Sequence, residues 1–219
     1  METEKDDPIT NIRLIPIETS PFVRMKRAHF TRDDGSQFQV DIPQMHDSVS
    51  ILLCHTGRRS LIVVKQFRPA VFMSRMFPIL NDDQRIDALD LASCSGPAAL
   101  GYTYELCDGL VDNPNLNAVQ TARQEVLEEC GYNVPVEKIE LITTHRSLDS
   151  GAVQTLFYAD VDNTMKVSDG GGNAHENEEV EVVYVPVDNA MKLFVEDESI
   201  QRSPDLMFSV LWFLKEKCH

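Results

Sequence analysis

The segment Asn117-Ala-Val-Gln-Thr-Ala-Arg-Gln-Glu-Val-Leu-Glu-Glu-Cys-Gly-Tyr132 constrains the chain more than any other. Asn117 can cap a helix, and Gln120 three residues on can complete a capping box. Gly131 is placed to end the helix in a left-handed conformation. At about 100° per residue, Val119, Ala122, Val126 and Cys130 form one apolar stripe, with Glu125, Glu128 and Glu129 on an adjacent one. The apolar stripe demands a surface to pack on. The acidic stripe is locally unfavourable. Glu125 and Glu129 are like charges at i, i+4, costing roughly 0.2–0.5 kcal/mol. They also lie in the carboxyl half of the helix, where the macrodipole disfavours anions. No basic residue lies three or four positions from any of the three. A hard divalent cation such as Mg²⁺, which takes oxygen ligands, would offset this cost. From the glutamates alone, a solvated acidic face is an equally good reading.

The rest of the chain reads as a mixed α/β domain. Ser50-Ile-Leu-Leu-Cys and Leu61-Ile-Val-Val are short apolar runs around a turn at Gly57. Val153 to Val161 and Val180 to Val185 read as further strands, and Val187 to Val195 and Asp205 to Lys217 carry helical spacing. Residues 1–45 look like an appended β element, with Phe38-Gln-Val-Asp-Ile alternating as a strand, and residues 46–219 like the main domain. Ser74 to Gly101 has little periodicity and reads as an insertion or long loop. Ser168-Asp-Gly-Gly-Gly-Asn-Ala-His-Glu-Asn177 is a glycine-rich loop.

Charge and cysteine usage narrow the class. The net charge of −15 is uneven. Met1 to Arg75 holds 11 Lys/Arg against 9 Asp/Glu, and the remainder 9 against 26. An acidic body repels nucleic-acid backbones and anionic membranes. A phosphate ligand would then need a metal between two negative partners. Cys54, Cys94, Cys107, Cys130 and Cys218 are scattered and odd in number, against a disulfide framework or a cysteine zinc site. No apolar run approaches the roughly 20 residues of a membrane span, and the N-terminus lacks the apolar core of a signal peptide. A cytoplasmic protein is expected. The histidines show no metal-ligand spacing, and no nucleophile elbow accompanies Ser147 or Ser150.

Gly109-Leu-Val-Asp-Asn-Pro followed by Gln124-Glu-Val-Leu-Glu-Glu-Cys-Gly resembles the Nudix box, a glycine followed by Arg-Glu-aliphatic-x-Glu-Glu-x-Gly on a helix. Two features depart from it. The interval from Gly109 to Glu125 is one residue longer than usual. The box's early Glu falls on Asn115 or Leu116 and its Arg on Gln124. Those two residues pair with each other in the family, so losing both together is self-consistent. Val63-Val-Lys-Gln-Phe-Arg-Pro-Ala-Val71 is similar to a strand of the ADP-ribose and sugar-nucleotide diphosphatases, and Glu105-Leu-Cys-Asp-Gly109 to their Glu-x-x-Ala-Gly turn. The wording Cys107-Asp-Gly-Leu-Val-Asp112 and the ending Val210-Leu-Trp-Phe-Leu214 look most like the UDP-sugar branch.

The resemblance implies an α/β/α sandwich around a mixed sheet, and a homodimer whose N-terminal strands, here residues 1–45, cross to the partner. It implies that Glu125 and Glu129 bind Mg²⁺ or Mn²⁺, with Glu128 binding directly or through water and the Asp108 carbonyl completing the site. Arg68 and Glu105 would meet the substrate near the diphosphate. The general base would be Glu178, three residues before the strand glutamate Glu181, with Glu176 its main competitor and Gly170 to Gly172 as a hinge. The implied reaction is hydrolysis of a nucleoside diphosphate sugar, UDP-glucose giving UMP and glucose 1-phosphate. The alternatives are an ADP-ribose diphosphatase, giving AMP and ribose 5-phosphate, and a sugar-nucleotide-binding protein without catalysis.

Overall fold

The computed structural model describes residues 8–10, 12, 18–76, 95–173 and 179–218. Along the chain lie β1 (Pro8–Ile9), β2 (Val23–Thr31), β3 (Gln37–Met45), β4 (Ser48–His55), β5 (Ser60–Phe67), α1 (Pro69–Met76) and β6 (Gly96–Pro97). They are followed by β7 (Tyr102–Glu105), β8 (Cys107–Leu110), α2 (Ala118–Cys130), β9 (Glu140–Arg146), β10 (Val153–Val161), β11 (Val180–Pro186), α3 (Val187–Met191) and α4 (Pro204–Glu216).

Seven strands form one mixed sheet in the order β11-β5-β4-β10-β9, with β7 pairing β5 and β8 pairing β4. The β10–β4 pair is parallel, while β10–β9, β11–β5, β4–β5, β4–β8 and β5–β7 are antiparallel. The near-continuous apolar run of β4 follows from burial on both faces. Val49, Ile51 and Leu53 join Ile62 and Val64 of β5 against Ala122, Val126 and Cys130 of α2. Leu52, Cys54, Leu61 and Val63 face the other way, onto Ala190, Phe194, Leu206, Val210 and Phe213. Helices therefore cover both faces, and the expected α/β/α sandwich is the fold. The second layer includes α3, whose helical path continues as one wide π turn over Lys192–Glu196.

Local chemistry fixes the joints. Asn117 and Gln120 form the capping box of α2, and Gly131 follows at φ 71°. A Cβ at Gly131 would overlap the Ser168 carbonyl, so glycine is required there for space as well as for its dihedral. The β4–β5 connection turns at Thr56–Arg58, but its left-handed residue is Arg59, at φ 49°, rather than Gly57. Buried His55 holds this turn. Its Nδ1 accepts the Arg58 N–H at 3.2 Å, and its Nε2 lies 3.0 Å from Asn163 Oδ1. That satisfies both ring nitrogens and gives His55 a structural role.

The strand expected to run to Val71 stops at Phe67. Pro69 has no N–H for a ladder, yet suits the first turn of a helix, so α1 begins there. Arg68 thus stands at a strand-to-helix corner. Of the expected insertion, residues 77–94 lie outside the described residues; β6 beyond them pairs with β1. At the N-terminus, β2 and β3 form their own two-stranded sheet with Phe22, Met25 and Met45 exposed. Its last strand ends at Met45. Among the described residues, no helix is long and apolar enough to cross a membrane, and Cys54, Cys107, Cys130 and Cys218 are free thiols.

Candidate active site

Asp108, Glu125 and Glu129 lie where α2 crosses β8, and Arg68 and Glu105 lie beside them at the end of β5. Cys107 faces α2 as part of its apolar layer. One residue on, the Asp108 N–H donates to Glu129 Oε2 at 3.1 Å. Glu129 is fully buried. Gly109 comes next, and the Glu125 carboxyl occupies the space that a side chain there would take: a Cβ on Gly109 would overlap Glu125 Cδ and Oε1. The glycine is needed for this close approach and not for an unusual dihedral. Glu128, half-buried, turns away toward Gln124, whose Nε2 donates to its Oε1 at 2.9 Å. Gln124 stands where the box has arginine, and here it supports a neighbouring acid by a neutral hydrogen bond.

Arg68 and Glu105 meet each other. Arg68 Nε donates to Glu105 Oε1 at 2.8 Å and Nη2 to Oε2 at 2.6 Å, a two-pronged pair. Thr103 donates to Glu105 Oε1, and Gln66 Nε2 to Oε2 at 3.3 Å. Arg68 Nη2 also lies 3.7 Å from Asp108 Oδ1, which links this pair to the α2 glutamates. Burial pushes the Glu105 carboxyl up, but the Arg68 bonds and charge, with Thr103 and Gln66, outweigh it and hold the group below its ordinary range. Glu105 therefore stays ionised and orients the guanidinium, which is two-fifths exposed.

Gln66 and Thr103 were not anticipated. Thr103 and Glu105 share a face of β7 because strand side chains alternate, but the register of β7 on β5 that brings up Gln66 is set by a long-range pairing. Glu176 and Glu178 lie outside the described residues; Glu179 is exposed. Gly170, Gly171 and Gly172 all have positive φ. Gly171 and Gly172, two of the glycines expected to act as a hinge, bond to α2: Gly171 N–H to Glu129 O at 2.8 Å and Gly172 N–H to Glu128 O at 3.3 Å.

Among the described residues, no three His, Cys, Asp or Glu side chains stand together as a ready-made cage. Mg²⁺ does not need one, because it takes one or two carboxylates and fills its octahedron with water and phosphate oxygens. Glu125 and Glu129, one helical turn apart and both directed at β8, fit that demand. The donors are hard oxygens, next to an arginine suited to phosphate.

A mixed sandwich with a glutamate-bearing helix packed on a glycine strand in this way is the architecture of a Nudix hydrolase. The relatives agree. The chain is 39% identical over 202 residues to uridine diphosphate glucose pyrophosphatase NUDT14 of Bos taurus, covering 89% of each chain. It is 36% identical over 207 residues to the protein of that name from Mus musculus, covering 90% of each. A GDP-mannose pyrophosphatase of Salmonella typhimurium matches at 28% over 176 residues, 78% of this chain and 69% of that one. No family model matches. The chain belongs to the Nudix hydrolase family, on the branch it shares with these pyrophosphatases.

The Arg68–Glu105 pair yields a stability test. Glu105 has a lowered folded-state pKa, so its contribution is present above its unfolded pKa and lost as pH falls through the folded value. Arg68→Ala leaves a buried carboxylate without its main partner. Given the partial exposure of Arg68, the expected cost is about 2 kcal/mol at pH 7, below the full buried-pair figure. The cost should shrink as pH falls through the carboxylate range toward the lowered folded value of Glu105, because a protonated Glu105 needs no cation. Urea titrations of wild type and variant from pH 7 to 3 would show this. A cost independent of pH would mean that it does not arise from pairing with the Glu105 carboxylate.

Proposed function

We propose that the chain hydrolyses the diphosphate of a nucleoside diphosphate sugar in a Mg²⁺-dependent reaction, with UDP-glucose the substrate of choice. The observation that carries this reading is the placement of Glu125 on Gly109 and of Glu129 on the Asp108 N–H, in a chain whose relatives bear sugar-nucleotide pyrophosphatase names. Glu125 and Glu129 would hold Mg²⁺ or Mn²⁺, with Glu128 direct or through water and the Asp108 carbonyl beside them. A bound divalent ion offsets the charge of the diphosphate and of the leaving oxygen. Arg68, whose Nε and Nη2 edge is held by Glu105, would offer its remaining Nη1 and Nη2 N–H groups to the phosphate oxygens. Water attacks one phosphorus, the bridging P–O bond breaks, and the products are UMP and glucose 1-phosphate. Glu178, outside the described residues, is the proposed acceptor of the water's proton. Its support is its place in the sequence three residues before Glu181, together with described neighbours on either side: Gly171, bonded to α2, accepts the Val180 N–H at 3.1 Å.

We also propose a homodimer built through residues 1–45. The support is the separate β2–β3 sheet with Phe22, Met25 and Met45 exposed. Light scattering should give twice the 24.7 kDa of one chain; the monomer mass would contradict it.

The activity is tested by phosphatase-coupled assay on UDP-glucose, GDP-mannose and ADP-ribose with Mg²⁺. UDP-glucose should be cleaved at least as well as ADP-ribose, and excess EDTA should abolish turnover. Glu129→Gln keeps an acceptor for the Asp108 N–H, so the variant should melt like wild type. Its kcat should fall about 10³-fold, equivalent to roughly 4 kcal/mol of barrier. Full activity in EDTA, or in Glu129→Gln, would overturn the metal reading. A kcat/KM preference for ADP-ribose above about tenfold would reassign the substrate.

A further inference from the structure

The carboxyl end of α2 is clasped by the loop that follows β10. Besides the two bonds from Gly171 and Gly172, Val167 and Ser168 donate to the Gly131 carbonyl at 2.9 and 3.3 Å. Lys166 supplies a cation to the same end. Its Nζ donates to Cys130 O at 2.8 Å and to Asp169 O at 3.4 Å, and lies 4.7 Å from the centre of the buried Tyr132 ring. The chains of Tyr132 and Lys166 also meet in an antiparallel bridge. A helix ends in carbonyls that lack intrahelical donors and carry partial negative charge. Here the last turn also bears Glu128 and Glu129, so a cation bonded to its carbonyls counters both charges. The loop side is equally tight: a Cβ on Gly170 would overlap the Glu129 carbonyl.

We infer that Lys166 is a positioning residue for the diphosphatase reaction: by bonding Cys130 O and Asp169 O together it fixes the loop 166–173 against the helix turn that carries Glu128 and Glu129. The inference rests on the proposed function, in which those glutamates hold the divalent ion. Lys166 acts through main-chain carbonyls, so its loss should disturb the register of the catalytic groups rather than the recognition of the sugar nucleotide. The loop's anchor, Gly171, bonds α2 through its N–H and β11 through its carbonyl.

The test compares full-length wild type with Lys166→Met, Lys166→Arg and Asn117→Ala. With UDP-glucose and saturating Mg²⁺, Lys166→Met should lose about tenfold or more in kcat, with KM changed by less than about threefold. In the metal-free protein the Gly171 and Gly172 amides should exchange faster in Lys166→Met than in wild type. Lys166→Arg, which can still donate to both carbonyls and stack on Tyr132, should restore kcat and amide protection. Asn117→Ala weakens the same helix at its far end and should keep kcat near wild type. Unchanged kcat in Lys166→Met would overturn the inference, as would an equal loss in Asn117→Ala, which would reduce Lys166 to a source of helix stability. If Lys166→Met fails to fold, Gly170→Ala attacks the clasp from the loop side. The same split of kcat from KM is expected there, and wild-type kcat would overturn the inference. Wild-type protein inactive on every sugar nucleotide would instead defeat the proposed function, while the exchange measurement would still decide whether Lys166 holds the loop.

Discussion

The packing of α2 across β8 is the contact on which the rest of the structure depends. Cys107 enters the apolar layer, Asp108 gives its N–H to Glu129, and Gly109 makes room for Glu125. Three successive residues of one short strand thus seat a core, a buried carboxylate and a second carboxylate. Burying Glu129 costs free energy unless it is compensated. The Asp108 N–H compensates part of that cost, and a divalent cation would compensate more. Two glutamates one turn apart, unfavourable on an isolated helix, are thereby gathered where phosphate chemistry would use them.

The two faces of the sheet divide the work. The face opposite α2 is apolar from Leu52 to Phe213 and holds α3 and α4. The α2 face is apolar under the helix and turns polar toward the end of β5, where Gln66, Thr103, Glu105 and Arg68 form one hydrogen-bonded set. Arg68 projects there because Pro69 ends the strand and begins α1. An ionised Glu105, tied at both oxygens, restricts the guanidinium, which would lower the ordering cost of binding a diphosphate in the proposed reaction.

Local signals carried much of this into the sequence. The capping box of Asn117 and Gln120, the left-handed Gly131, and the strands Val153–Val161 and β11 are short-range features, and each stands where its residues placed it. Glu125, Glu129, Arg68 and Glu105 were nameable because family-like spacing surrounds them. What escaped was long-range. Gln66 and Thr103 depend on strand register, and α1 hides behind a strand-like run until Pro69 is given its due. The three glycines at 170–172 suggest freedom in isolation, yet positive φ is also what a tight approach to the Glu129 carbonyl demands. Gln124 shows the same limit: its hydrogen bond to Glu128 follows from helical spacing, but arises where the family pattern would place an arginine.

Gly109→Ala isolates the central contact. The added methyl meets the end of the flexible Glu125 side chain, so the protein can fold by turning that carboxylate aside. The decisive measurement is Mn²⁺ affinity by calorimetry, on wild type and Gly109→Ala with matched thermal melts. If α2 and β8 together form the metal centre, the variant should bind Mn²⁺ at least about tenfold more weakly, a loss of about 1.4 kcal/mol. Wild-type Mn²⁺ affinity in a folded Gly109→Ala protein would contradict it.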